Sequence, residues 1–210
     1  TLLGAGLLWF GWFGCNAGSA LAMNGVALNA FITTNTSAAA AAITWCACEM
    51  KFRGKVTSLG LASGIVAGLV AITPGAGFVT PLSALIIGGI GGVICFFAVT
   101  VIKQKLKYDD ALDAFGCHGV GGIWGGIATG IFASKAVNSS GINGLLYGNP
   151  KLLGAQLIAI IITIIFSALM TFIILKFINK FISLRVSKED EEEGLDVSLH
   201  GEEAYGSLNI

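Results

Sequence analysis

The sequence predicts an all-α, polytopic membrane protein with six transmembrane helices. Three observations carry that expectation. The 210 residues are 55% hydrophobic and only 11% charged, with a mean hydropathy of +0.83, whereas a soluble domain carries about 25% charged residues. Six apolar runs occupy the first 181 residues, each close to the ~20 residues that cross a bilayer. Lysine and arginine fall almost entirely in the connectors of one side, as the positive-inside bias requires. Short alternating strands of the kind a β-barrel needs do not occur in the sequence. Backbone groups in lipid must be satisfied within the segment, so the runs are read as helices.

The runs are Thr1–Asn16, Val26–Cys48, Thr57–Thr73, Pro81–Ile102, Phe115–Ala133 and Leu152–Phe177, of 16, 23, 17, 22, 19 and 26 residues. The first is short and begins inside apolar sequence without a methionine, so it is read as a truncated helix of a fragment whose N-terminal part is missing. The last is long enough to tilt or to project beyond the bilayer. The run Thr73-Pro-Gly-Ala-Gly77 separates the third helix from the fourth, and the longest connector is Ser134–Lys151, rich in Asn, Ser and Gly. The connector after span two holds Lys51, Arg53 and Lys55, and that after span four Lys103, Lys105 and Lys107. Lys176, Lys180, Arg185 and Lys188 lie at and beyond the end of span six. The opposite side has only Lys135 and Lys151, a balance of ten to two. This bias places the C-terminus in the cytoplasm and, over six crossings, the N-terminal end there too. Residues 1–181 are thus a transmembrane region and 182–210 a cytoplasmic tail, with the acidic run Glu189-Asp-Glu-Glu-Glu193. The tail is either a solvated charge block or, from the mixed segment that follows, a docked element.

Composition excludes several function classes. A net charge of zero gives no footing for nucleic acid. The five cysteines, Cys15, Cys46, Cys48, Cys95 and Cys117, lie in or beside apolar runs without zinc-site spacing and read as small apolar fillers. There is no P-loop, no metal motif and no nucleophile–base pair, so the chain is not read as an enzyme and no cofactor is implied. Glycine, at 30 residues, suits close helix contact in lipid.

His118 is the residue that points to a task. It lies in the nearly apolar run 115–133, and an ionisable group at membrane depth is costly and usually faces a pore or bundle interior. Imidazole both donates and accepts and titrates near neutrality, so it suits contact with a small cation or a proton relay; the alternative is a packed histidine bonded to a backbone carbonyl. Asp109, Asp110 and Asp113 precede it. They are read as caps of the histidine helix, with Asp113 the one that could instead brace a neighbouring helix or a cytoplasmic vestibule. Phe10, Trp12, Phe13, Asn16 and Ser19 gather toward the outer end of the first span. They are either an interfacial aromatic belt or an aromatic face that holds a cation, with Ser19 as acceptor.

Three stretches together resemble the ammonium transporter (Amt/Mep/Rh) family, on its Amt side. They are Gly11-Trp-Phe-Gly-Cys-Asn-Ala-Gly-Ser19, Asp109-Asp-Ala-Leu-Asp-Ala-Phe-Gly-Cys-His-Gly-Val-Gly-Gly-Ile-Trp-Gly125 and the tail from Leu184 to Tyr205. The resemblance covers the whole chain. It implies an inverted-repeat fold of about eleven helices, of which this chain matches helices six to eleven plus the tail. It implies that His118 is the second of a pore histidine pair, that Ser19 belongs to an outer ammonium recruitment site, and that Leu8 and Ala114 lie along an apolar conduction path. It also implies that Asp110 supports the pore helix, with Asp113 beside it. Cys15 departs from the family, standing where a gate phenylalanine is usual. The first histidine, the outer tryptophan, the partner gate phenylalanine and the recruitment aspartate are expected upstream of Thr1. The partners implied are ammonium or ammonia, membrane lipid, two further copies in a homotrimer and a PII-type regulatory protein at the cytoplasmic face. The expected function is ammonium transport across the plasma membrane, the inner membrane of a bacterium, by a histidine relay. The alternatives are an ammonium sensor, a generic channel, or a truncated half with no transport activity.

Overall fold

A computed structural model describes residues 1–202; the end of the tail resemblance, residues 203–205, lies outside the described residues. The chain divides into two compact units, 1–161 and 162–210. Among the described residues all regular structure is helical. The six long elements are α1 (Leu2–Gly18), α2 (Gly25–Arg53), α3 (Ser58–Ile72), α4 (Pro81–Leu106), α5 (Phe115–Phe132) and α6 (Pro150–Ile178). Helices α2, α4 and α6 are long and apolar enough to cross a membrane unaided by context.

Local sequence explains the starts and stops. Asn24 accepts from the Ala27 N–H at 3.0 Å, Thr57 from Gly60 at 2.8 Å and Thr80 from Ser83 at 3.2 Å. Each side-chain oxygen thereby satisfies an orphan donor of the first turn. Pro81 adds a fixed φ at the first position of α4. Helix α2 runs five residues past Cys48 and ends at Gly54, whose φ of +73° is the left-handed conformation that closes a helix.

In unit 1, α2, α3 and α4 pack against one another, and glycine permits the approach. A side chain on Gly88 of α4 or on Gly68 of α3 would fall on the backbone around Ser37 of α2. The Ser37 hydroxyl donates to the Gly68 carbonyl at 2.7 Å, fully buried. Leu69, Ile72, Val79, Ile87 and Phe96 are the large buried side chains of the resulting core. Trp124 of α5 packs beside it and donates from Nε1 to the Ile87 carbonyl at 2.9 Å.

Two helices widen locally. At 98–102 in α4 the Lys103 N–H donates to the Ala98 carbonyl, five residues back. At 115–119 in α5 the Val120 N–H is shared between the Cys117 carbonyl and the Phe115 carbonyl, the latter again five back. Such π turns recur at functional sites. The two turns meet, because Gly116 brings its backbone against Val99. The connector 133–149 is folded rather than loose: Ser134 N–H donates to Phe78 O, Gly144 N–H to Ala133 O and Lys135 N–H to the Asn143 side chain, all at 2.8 Å. Gly130 and Gly126 of α5 receive Leu153 and Ile160 of α6.

Unit 2 holds the rest of α6 and the tail. Its hydrophobic side chains from Ile162 to Phe177 are largely exposed to their surroundings, the pattern of a helix facing lipid or other protein. Beyond it Ser187 caps the short helix α7 (Lys188–Glu193), accepting from Asp190 at 3.1 Å. The Arg185 guanidinium bonds both oxygens of Glu191 at 2.9 and 3.0 Å.

Candidate functional site

Leu8, Trp12, Cys15 and Ser19 are spaced by four, three and four residues, so α1 presents them in one row. Ala114 stands immediately before α5, and His118 follows four residues later inside the wide turn. His118 lies within the wide turn 115–119 and its imidazole is open rather than packed in the core. The ring stacks on Trp12, with centroids 6.3 Å apart and planes at 28°. Trp12 is held in that place from its other edge. Its Nε1 donates to the Thr73 hydroxyl at 2.7 Å, and that hydroxyl donates on to the Leu69 carbonyl at 2.7 Å. A threonine at the end of α3 therefore orients the indole against which His118 lies.

The geometry separates Trp12 from the outer cluster expected from sequence. Trp12 belongs with His118, while Phe13 points elsewhere and stacks on Phe31 of α2 at 4.1 Å. Cys15 and Ser19 instead line a cavity of about 510 Å³ with Asn16, Thr73, Phe78 and Asn138 among its walls. Ser19 is exposed and donates to the Cys15 carbonyl. Asn16 donates from Nδ2 to the Thr34 hydroxyl at 3.0 Å, tying α1 to α2. Thr73 is common to the cavity wall and to the Trp12 contact, so the cavity, the indole and the imidazole form a continuous series. Leu8 and Ala114 are both exposed.

The carboxylates before His118 have separate tasks. Asp110 accepts from three successive N–H groups, Ala114 at 2.8 Å, Phe115 at 3.0 Å and Gly116 at 3.3 Å. One carboxylate thus satisfies three donors that the helix start leaves free, and its charge complements the helix dipole. Asp113 faces the other way. Its Oδ1 accepts from Lys103 Nζ at 2.6 Å, and Lys103 also donates to the Asp110 carbonyl. Asp113 has a φ of +56°, a left-handed conformation that costs a non-glycine residue about 1–2 kcal/mol.

Sequence reasoning passed over Thr73, Lys103 and Glu49. Thr73 registers only as the start of a turn, and Lys103 only as a topological charge. Glu49 is 1% exposed near the end of α2 and accepts from the Thr57 N–H at 2.8 Å and the Thr57 hydroxyl at 3.0 Å. Arg53 lies 3.8 Å away. A buried carboxylate needs such partners, and a side chain on Gly60 would fall on the carboxylate itself. Its signal was a lone carboxylate just beyond an apolar run. Among the described residues no group of three or more metal-ligating side chains gathers.

The family model of the Ammonium Transporter Family matches residues 1–205. The chain belongs to the ammonium transporter family. It is 55% identical over 205 residues to the ammonium transporter of Bacillus subtilis, covering 98% of this chain and 51% of that protein. It is 51% identical to the ammonium transporter Amt1 of Archaeoglobus fulgidus, over the same shares of both. Among solved structures it is similar to Mep2 of Saccharomyces cerevisiae, with a TM-score of 0.84 and 39% identity over 89% of this chain and 43% of that one. It is also similar to a structure described as a sensor Amt protein, with a TM-score of 0.83 and 34% identity over 94% and 48%. The chain spans about half the length of these relatives. The architecture is helical and multi-pass, and the two curated relatives are named as ammonium transporters rather than enzymes.

Proposed function

We propose that this chain supplies one wall of an ammonium transport pathway, with His118 as a relay for the proton that ammonium gives up. The observation that carries the reading is the open imidazole of His118 stacked on Trp12 in a row of apolar side chains. Moving a bare cation through such a row is costly, so ammonium is recruited at the Ser19 cavity, deprotonated, and passed as ammonia while imidazole handles the proton. Leu8 and Ala114 line the apolar stretch, and Cys15 leaves more room there than a phenyl ring would. The relatives' names support ammonium as the substrate. The rest of the pathway wall comes from sequence of the kind that makes the relatives twice as long.

The charge bias of the connectors supports a plasma-membrane orientation with the tail in the cytoplasm. The division at 181/182, a homotrimer and a PII-type partner at the tail belong to the same proposal. A second reading, ammonium sensing, is favoured by the similarity to a sensor Amt protein. Uptake of a labelled ammonium analogue into vesicles carrying the complete polypeptide separates the two. Transport predicts sustained flux that His118→Ala lowers at least tenfold or changes in selectivity; unchanged flux and selectivity in that variant would sink the relay. Saturable binding without flux selects the sensor.

A further inference from the structure

Lys103 stands immediately after one wide turn and Asp113 two residues before the other. Their side chains meet at 2.6 Å, with each about one quarter exposed. Lys103 also donates to the Asp110 carbonyl, so one ammonium group holds both ends of the Asp110–Asp113 turn. The same turn is closed by the Asp113 N–H on that Asp110 carbonyl at 3.1 Å. The Asp113 carbonyl then accepts from the Cys117 N–H at 3.0 Å, one residue before His118.

We propose that Lys103 is a positioning residue for His118. By holding Asp113 in its left-handed conformation, it maintains the wide turn in which the imidazole faces Trp12. The physical step is a change of register. A wide turn accommodates one residue more than an α turn. If Asp113 relaxes and residues 115–119 close as ordinary α-helix, the Val120 N–H, now shared between the Cys117 and Phe115 carbonyls, moves to the Gly116 carbonyl. The side chains before that point then rotate by up to ~100°, one residue's share of a helical turn, and His118 leaves the indole. The approach of Gly116 to Val99 stabilises the wide form from the other side, since the wide turn of α4 fixes where Lys103 emerges. The inference rests on the proposed role of His118 for its functional consequence and on geometry alone for its structural one.

The test uses the complete polypeptide with Lys103→Met, Lys103→Arg and, should the methionine variant not fold, Asp113→Asn. Lys103→Met is expected to lower ammonium uptake at least tenfold and to change its pH profile, with expression and melting temperature close to the parent. Lys103→Arg, which keeps a donor, restores both. A methionine variant with the parent's rate and profile overturns the proposal. So does an equal loss in methionine and arginine variants with an unchanged profile, which marks a purely structural role. A structure of Lys103→Met, or of Asp113→Asn where that one folds, decides the matter independently of transport. Val120 bonded to Gly116 and an imidazole away from Trp12 support the clamp, and an unchanged turn overturns it. A parent protein that moves no ammonium defeats the transport reading but leaves that structural readout in force.

Discussion

At the scale of single residues, the candidate site depends on a few polar atoms in apolar surroundings. The Thr73 hydroxyl is the plainest case. It accepts from Trp12 and donates to Leu69, so Thr73→Val removes both bonds with little change of volume. A typical intramolecular hydrogen bond contributes about 1 kcal/mol, and this one is exposed, so that water replaces part of what the indole N–H loses. The expected outcome is a modest fall in melting temperature and a loss of uptake of roughly fivefold or more, the factor for about 1 kcal/mol. Thr73→Ser should behave as the parent, and a valine variant that does so too would detach Thr73 from the pathway. Glu49 makes the opposite demand. Its carboxylate is buried with Thr57 as its main partner, so Gly60→Ala, which forces it to move, should destabilise the junction of α2 and α3 in a thermal melt. A melt indistinguishable from the parent would mean that the carboxylate shifts freely.

At the scale of elements, the histidine helix is set by its first turn and the bundle by its glycines. Asp110 receives three N–H groups. Asp110→Ala should cost about 0.5–2 kcal/mol, the usual range for a lost cap, and Asp110→Asn, which keeps an acceptor, should lose less. Equal losses in both variants would show that charge rather than hydrogen bonding matters. Gly88 lets α4 lie against Ser37 of α2, where backbone cannot yield as a flexible side chain does. Gly88→Leu therefore forces the helices apart and should cost more than the 1–3 kcal/mol typical of overpacking. Loss of folded protein on size-exclusion chromatography is the expected reading, and a normal elution profile would contradict the tight crossing.

At the scale of the whole molecule, charge alone argues the orientation. With the five free cysteines replaced, Ser139→Cys should react with a membrane-impermeant maleimide from outside, and Lys107→Cys only after the membrane is opened. The reverse pattern would invert the proposed topology. Much of the architecture was legible in the chain. Six apolar runs became six helices because lipid leaves the backbone no other partner, and Asn24, Thr57 and Thr80 marked three starts through their own side-chain oxygens. The ends were less legible, since α2 continues through Lys51 and Arg53 to Gly54: charged residues at an interface can remain helical. His118, Ser19 and Asp110 stood out because polar groups are rare in such sequence. Thr73 and Lys103 did not, because a turn threonine and a connector lysine are commonplace until a distant partner is known.

The sequence by itself determined the all-helical class of the protein and its family. Each of these depends on composition and local pattern, which lipid and the backbone read directly. Only the tertiary structure decided that Trp12 stacks on His118 rather than lying in an outer belt. It also decided that Thr73 holds that indole and that Lys103 pairs with Asp113 across two wide turns. Those facts depend on which side chains meet between helices, where glycine-permitted approach and single hydrogen bonds set the geometry and no periodicity records them.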